Sequence, residues 1–220
     1  MNLSEKEIKK YSAMANAIRF LSADSVENAK SGHPGMPMGI AEVATILFAK
    51  HLRFNPDMPD WDNRDRFILS AGHGSMLIYS ILYLLGYSKI TLKHLKNFRK
   101  INSPTAGHPE YGELPGIETT TGPLGQGLGN GLGMALSEAI LRKKYGKEVF
   151  NHYTYILAGD GCLMEGISHE FASLAGHLAL SKLILIYDDN KISIDGPTSI
   201  TMSDNTLERF KSMGWHTSKV

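Results

Sequence analysis

Two short apolar runs rich in strand-forming residues, 153–158 (YTYILA) and 183–187 (LILIY), dominate the second half of the chain. Each ends abruptly at a polar triplet, Gly159-Asp160-Gly161 for the first and Asp188-Asp189-Asn190 for the second. The segment between them, 165–180, reads as a helix, which makes a strand–helix–strand unit of ordinary size. Such units are parallel and right-handed, so both acidic ends emerge on one edge of the sheet, where open parallel sheets bind ligands. Earlier in the chain, Ile8, Tyr11, Ala15, Ile18 and Leu21 recur at helical spacing behind a Ser4/Glu7 capping box, and this helix ends before Gly32. The pattern further predicts a largely buried helix over 39–52, a loop over 55–63 and a strand over 66–69 (RFIL). Beyond these it predicts an apolar helix over 76–85, a short helix from Thr91 to Lys96 and a helix over 128–144. Residues 101–125 are dense in Gly, Pro and Thr and too long for a simple connector, a length at which loops are usually functional. The end of the chain, MGWHTSKV, reads as a turn followed by the first residues of a strand. The expected architecture is α/β: a mostly parallel sheet with helices on both faces, in one domain.

Composition narrows the function classes. A net charge of +1 over 220 residues gives no general attraction to nucleic acid or membrane. The single cysteine, Cys162, allows no internal disulfide and fits a reducing cytoplasm. The N-terminal stretch is charged and lacks a signal-peptide apolar core, and no run has the length of a membrane span.

The acidic strand ends carry the clearest chemistry. An Asp carboxylate and an Asn carbonyl side by side are hard oxygen ligands suited to Mg²⁺ or Ca²⁺, and Gly159 and Gly161 let a phosphate approach the backbone. Either triplet alone reads first as a turn, since Asp and Asn at strand ends are common turn formers and helix caps. Their pairing across one strand–helix–strand unit favours a divalent metal bridging protein and a diphosphate. Three histidines sit beside glycine in loops: His33 in SGHPG, His73 in AGHG and His108 in AGHPE. A lone histidine of this kind is commonly a surface or capping residue. Three together point to a ligand, because neutral imidazole donates to hydroxyls or phosphates and imidazolium neutralises phosphate charge. Zinc is the competing reading, but the spacings are long and one cysteine makes a closed structural site unlikely. Residues 119–127 (TTTGPLGQG) precede the glycine-rich helix start at Gly129, Gly131 and Gly133. A turn of this kind at a helix N-terminus suits an anion, although it is neither a P-loop nor a dinucleotide fingerprint. Glycine there lowers helix stability by roughly 1 kcal/mol each relative to alanine, so something is expected to approach that helix closely.

GDG followed about thirty residues later by Asn resembles the thiamine-diphosphate signature, and GDGCLMEGISHE and YDDNKISIDG resemble transketolase in particular. SGHPGMPMG, AGHG, GHPE and TTGPLGQG follow in the same family's order along essentially the whole chain. The resemblance implies a thiamine-diphosphate-binding fold, with residues 1–220 forming a single, incomplete diphosphate-binding domain. Pyrimidine-binding and C-terminal domains would lie beyond it. It implies that Asp160, the Asn190 side chain and the Ile192 carbonyl hold Mg²⁺, with Ca²⁺ or Mn²⁺ as substitutes. Gly161 and His73 would contact the diphosphate, and Gly122, Pro123 and Leu124 would pack on the cofactor's rings. His33 and His108 would line the substrate path, and Glu165 would sit near a subunit interface and couple paired sites. The implied activity is transfer of a two-carbon ketol unit from a ketose phosphate to an aldose phosphate, in a cytoplasmic homodimer of the pentose phosphate pathway. Xylulose 5-phosphate and sedoheptulose 7-phosphate are the implied donors. The carboxylate that activates the cofactor would come from the partner's pyrimidine-binding domain, so the 220-residue chain is expected to be inactive alone and to associate through exposed apolar surface. Alternatives are a dihydroxyacetone synthase, another thiamine-diphosphate enzyme such as deoxyxylulose-phosphate synthase or an E1 dehydrogenase component, and a non-catalytic binding or assembly module.

Overall fold

The computed structural model describes residues 3–220, which divide into two compact units: residues 3–64 with 72–120, and residues 65–71 with 121–220. The second unit holds the sheet. Strands β1 (Arg66–Leu69), β2 (Thr154–Gly159) and β3 (Leu183–Asp188) run parallel in that order, close to the predicted bounds. The register is continuous from Thr154↔Leu183 to Gly159↔Asp188, so the two acidic triplets begin on adjacent rungs at the same sheet edge. Central strand β2 is almost wholly buried, as an apolar run without alternation requires.

Helix α6 (Gln126–Tyr145) packs along all three strands. Its glycines are partly explained by that packing. A Cβ at Gly127 would meet the Ser70 Cα at 2.6 Å, and one at Gly131 would overlap the Ile156 side chain. At Gly129 the neighbour is Ile167, whereas a Cβ at Gly133 would meet nothing within 4 Å. The close approach inferred from sequence at this helix start is therefore made by the protein's own strand residues and Ile167.

The helix predicted over 165–180 begins earlier and is broken. Gly159 is the N-cap of α7 (Asp160–Met164), so the acidic triplet opens a helix directly. Extended backbone at Glu165 (φ −68°, ψ 145°) then separates α7 from α8 (Gly166–His177). A small antiparallel ladder, β4 (Ile192–Ser193) with β5 (Gly196–Pro197), follows β3, and α9 (Thr206–Ser212) is capped by the Asn205 side chain. The strand expected after Met213 is absent: residues 215–220 have no regular structure. Instead the Trp215 ring packs against Phe171 and Phe210, with centroids at 5.4 and 5.3 Å, and its Nε1 donates to the Ala172 carbonyl. These contacts set the half-buried Trp215 against α8 and α9.

The first unit is helical. Helix α1 (Glu5–Ala29) starts at the predicted capping box and ends in left-handed Lys30, before Gly32. It packs on α4 (Met76–Leu84), whose Leu77 and Tyr79 are fully buried. The predicted 39–52 helix starts earlier and is interrupted. Residues Gly35–Gly39 form α2, Ile40 breaks the run, and Ala41–Ile46 form α3. A π-helical turn, Leu47–His51, closes it with Leu52 N–H donating to the Leu47 carbonyl. Helix α5 (Leu92–Lys96) begins after Thr91 as predicted, and residues 97–125 carry no α-helix or strand.

Candidate functional site

The acidic strand ends of the second unit form a hydrogen-bonded group. Asp160 is 2% exposed. One carboxylate oxygen receives the Tyr187 hydroxyl, and the other receives the Lys191 backbone N–H at 3.1 Å. The same Tyr187 hydroxyl lies 3.0 Å from Asp189, so one proton is shared between two carboxylates. Burial raises the Tyr187 pKa, and the Asp160 hydrogen bond and charge raise it further. Asn190 is exposed; its Oδ1 accepts from Ile192 N–H and its Nδ2 donates to Asp188. Left-handed Lys191 (φ 64°) produces the tight turn that folds this segment back onto Asp160. Thr198 N–H bonds the Lys191 carbonyl, which makes Ile192 and Pro197 the pair without mutual hydrogen bonds. The Ile192 carbonyl is thus left out of the ladder, and Pro197 opposite has no N–H to offer it.

Charge at this edge is unbalanced. Among the described residues no basic side chain forms an ion pair with Asp160, and Lys191 pairs with Asp189 at 2.6 Å. That pairing holds the Asp189 carboxyl below its usual range. Burial holds Asp188 above its usual range against the Asn190 hydrogen bond, and the Asp160 and Asp189 charges add to the rise. Three carboxylates facing one lysine, with an amide oxygen and an unladdered carbonyl nearby, fit a hard divalent cation. Among the described residues no group of three or more His, Cys, Asp or Glu has metal-binding geometry, so the donor set rests on mixed oxygens.

Gly161 is where three segments meet. A Cβ there would approach the Leu124 Cδ1 at 2.9 Å and the Ser193 Oγ at 3.7 Å, which brings the GDG triplet, the TGPLG turn and the small hairpin together. The turn is anchored by the buried Thr121 hydroxyl, which donates to the Leu69 carbonyl at 2.8 Å. Gly125, left-handed at φ 83°, starts α6, and a Cβ on it would meet Glu165 at 2.9 Å. Gly122 is half-buried and Pro123 exposed beside Leu124. Glu165 is exposed at the break between α7 and α8 and makes no hydrogen bond among the described residues through its carboxylate.

The first unit brings the three glycine-flanked histidines into one electrostatic group. The His33 and His73 rings meet edge to face with centroids 5.2 Å apart. Burial lowers the His73 pKa, and the His33 and His108 charges lower it further. For His108 burial again leads, followed by Arg99 and His33. Its loop is pinned from below: the Ser75 hydroxyl donates to the Gly107 carbonyl at 2.9 Å and the Tyr79 hydroxyl to the His108 carbonyl at 3.3 Å. His73 itself lies in a 3₁₀ turn, Gly72–Gly74. The environments of His73 and His108 favour neutral imidazoles at neutral pH, able to donate one proton and accept another.

Sequence reasoning missed Tyr187 and Arg99. Tyr187 adjoins the acidic triplet, and its position one residue before Asp188 was the available signal. Nothing near Arg99 in sequence marks it.

A family model for "Transketolase, thiamine diphosphate binding domain" matches residues 10–220. The chain is 57% identical to a transketolase of Sinorhizobium medicae over 202 residues, covering 92% of this chain and 29% of that protein. It is 59% identical over 206 residues to a transketolase of Buchnera aphidicola, covering 92% of this chain and 31% of that one. Among solved structures, transketolase from Campylobacter jejuni superposes with a TM-score of 0.91 at 46% identity, covering 97% of this chain and 33% of the other. A Pichia stipitis transketolase complex with sedoheptulose 7-phosphate gives 0.89 at 52% identity, covering 94% and 30%. The chain spans about a third of the length of these relatives.

Proposed function

The chain belongs to the transketolase thiamine-diphosphate-binding family, and from that premise we propose that it is the metal- and diphosphate-holding part of a transketolase. The observation that carries this is the Gly159↔Asp188 register, which sets Asp160 and Asn190 at neighbouring strand ends. In this reading Asp160, the Asn190 amide oxygen and the Ile192 carbonyl hold Mg²⁺, for which Ca²⁺ or Mn²⁺ can substitute. Gly161 leaves room for a diphosphate oxygen at the start of α7, where free N–H groups favour an anion. His73 donates to the diphosphate. Gly122, Pro123 and Leu124 form an apolar rest for the cofactor rings.

When bound, thiamine diphosphate supplies the nucleophilic carbon and the electron sink for cleaving a ketose carbon–carbon bond. The protein groups orient and exchange protons around that chemistry. His33 and His108, kept close to one another by their glycine loops, bind the donor's hydroxyls and move protons at its carbonyl oxygen. His108 is held neutral by burial and by the neighbouring Arg99 charge, so its free imidazole nitrogen is available to accept a proton, with a basicity below the ordinary value. In this reading Glu165, exposed and with no hydrogen bond through its carboxylate among the described residues, meets a second subunit of a homodimer. The substrates are ketose and aldose phosphates, and the compartment is the cytoplasm. The cofactor-activating carboxylate is assigned to the additional length that the relatives possess, so the 220-residue chain alone is inactive.

The test is a chimera in which this chain replaces the matching first part of the Buchnera aphidicola relative. Ketol transfer that requires Mg²⁺ and falls at least ~100-fold on Asp160→Ala is expected, a loss of about 2.7 kcal/mol or more in transition-state stabilisation. A folded chimera that binds cofactor but transfers no ketol unit would contradict the functional reading.

A further inference from the structure

Phe98 and Arg99 touch two of the histidine loops of the first unit at once. The Phe98 ring is 1% exposed and meets Tyr79 edge to face, with centroids 6.4 Å apart. It lies so close to Gly32, the residue before His33, that a Cβ there would meet its Cε1 at 2.8 Å. After this anchored ring the backbone turns left-handed at Arg99 (φ 62°), a conformation costly for a residue with a side chain. The turn is held by the Arg99 N–H donating to the Thr105 carbonyl at 2.9 Å. Thr105 is itself fully buried, and its hydroxyl donates to the His94 carbonyl at 2.7 Å. From there the guanidinium donates through Nη1 to the Ser31 hydroxyl. It also rests on Gly107, where a Cβ would meet Nε at 2.6 Å and Nη2 at 2.8 Å. One side chain thus joins the residue two before His33 to the residue just before His108.

The two loops are otherwise held differently. Ser75 and Tyr79 fix the His108 loop through its carbonyls. Among the described residues, the bond from Arg99 is the one side-chain hydrogen bond made to residues 31–33. Without it, the position of the His33 loop relative to His108 would rest on the Phe98 contact at Gly32 and the His33–His73 ring contact. Arg99 also acts on His108 by charge. After burial its guanidinium is the leading cause of the lowered His108 pKa, followed by His33. His73 stands in the same group and responds to His33 and His108, and Glu110 follows His108 two residues on.

We propose that Arg99 is a positioning residue for the reaction: it straps the His33 loop to the His108 loop and fixes the spacing and orientation of the two imidazoles. This rests on the reading of His33 and His108 as the groups that bind the donor's hydroxyls and move its protons. It adds the side chain through which the two are made to act together.

The experiment compares Arg99→Gln, Ser31→Ala and Gly107→Ala, singly and combined, in the chain and in the chimera with the Buchnera aphidicola relative. Glutamine has no more tolerance of left-handed backbone than arginine, so Arg99→Gln leaves the strain of the turn as it is. Gly107 is not left-handed, and the atoms nearest its Cβ belong to the flexible end of Arg99, so alanine there displaces the guanidinium rather than the backbone. In the chimera each single change should lower kcat about 10-fold, with a smaller change in KM. Ser31→Ala or Gly107→Ala added to Arg99→Gln should cost nothing further, because all three remove one strap. In the chain, NMR titration should show the His108 pKa rising towards its ordinary value near 6.5 in Arg99→Gln, while His73 stays lowered. If Arg99→Gln does not fold, which circular dichroism reports, the non-additivity of Ser31→Ala with Gly107→Ala carries the test. Additive losses from the separate changes, or a kcat and a His108 pKa that none of them moves, overturn the proposal. A chimera without ketol transfer in its parent form refutes the functional reading instead, and the histidine titration in the chain then decides on Arg99 by itself.

Discussion

Asp160 and Asn190 come together by a hydrogen-bonded ladder; His33, His73 and His108 come together by loops. In the second unit, adjacent parallel strands fix the rung Gly159↔Asp188, and whatever follows each strand must emerge side by side. Among the described residues of the first unit there is no ladder. There Arg99 bonds Ser31 and rests on Gly107, and Ser75 and Tyr79 hold the His108 loop by its carbonyls. The difference teaches that a ladder-built site is specified by local pattern and depends on close packing behind it. A loop-built site depends on a few polar side chains, and its geometry follows their charge state.

The sharpest break concerns packing behind the ladder. A Cβ on Gly176 would overlap the Met213 carbonyl oxygen, which belongs to backbone and moves only with the chain. Gly176→Ala is therefore expected to destabilise by about 3 kcal/mol or more, measured by urea denaturation. No measurable change would mean that α8 and the turn at Met213 are not packed as described.

Acidification should act on the loop-built region. The folded-state pKa values of His73 and His108 are lowered, chiefly by burial, so the unfolded chain binds more protons than the folded chain between the two pKa values. Stability from these groups is present in full above the unfolded value near 6.5 and is lost as pH falls through the lowered folded values. Chemical denaturation from pH 7.5 to 5 should show this loss, and His73→Gln should flatten it. A profile insensitive to His73→Gln would place the pH dependence elsewhere.

The smallest effect sharpens the account of α6. A Cβ at Gly133 meets nothing within 4 Å, unlike one at Gly127 or Gly131. Gly133→Ala should stabilise by roughly 0.5–1 kcal/mol, read as a rise in Tm.

Much of this structure was legible in sequence where one signal sufficed. Apolar runs gave β1, β2 and β3, helical spacing and Ser4/Glu7 gave α1, and two acidic triplets a helix apart located the ladder-built cluster. Breaks inside helical patterns were not legible. Neither Ile40 nor Glu165 is a helix breaker by type, and each interruption shows only in the backbone, at φ −100° and ψ 4° for Ile40 and φ −68° and ψ 145° for Glu165. The β4–β5 ladder and α9 are too short for periodicity to reveal. Glycine beside histidine flagged the three imidazoles, but Arg99 gains its place from a left-handed backbone and partners 68 residues away, which no local pattern encodes.

The most direct measurement of the central claim is calorimetric titration of the chain with thiamine diphosphate, with and without Mg²⁺, on the parent and on Asp160→Asn. The account predicts binding that requires the metal and weakens at least ~100-fold in the variant, whose amide preserves shape but removes the charge of a metal ligand. Binding that is indifferent to Mg²⁺, or equal in the parent and in Asp160→Asn, would contradict the assignment of the paired strand ends as the metal–diphosphate clamp.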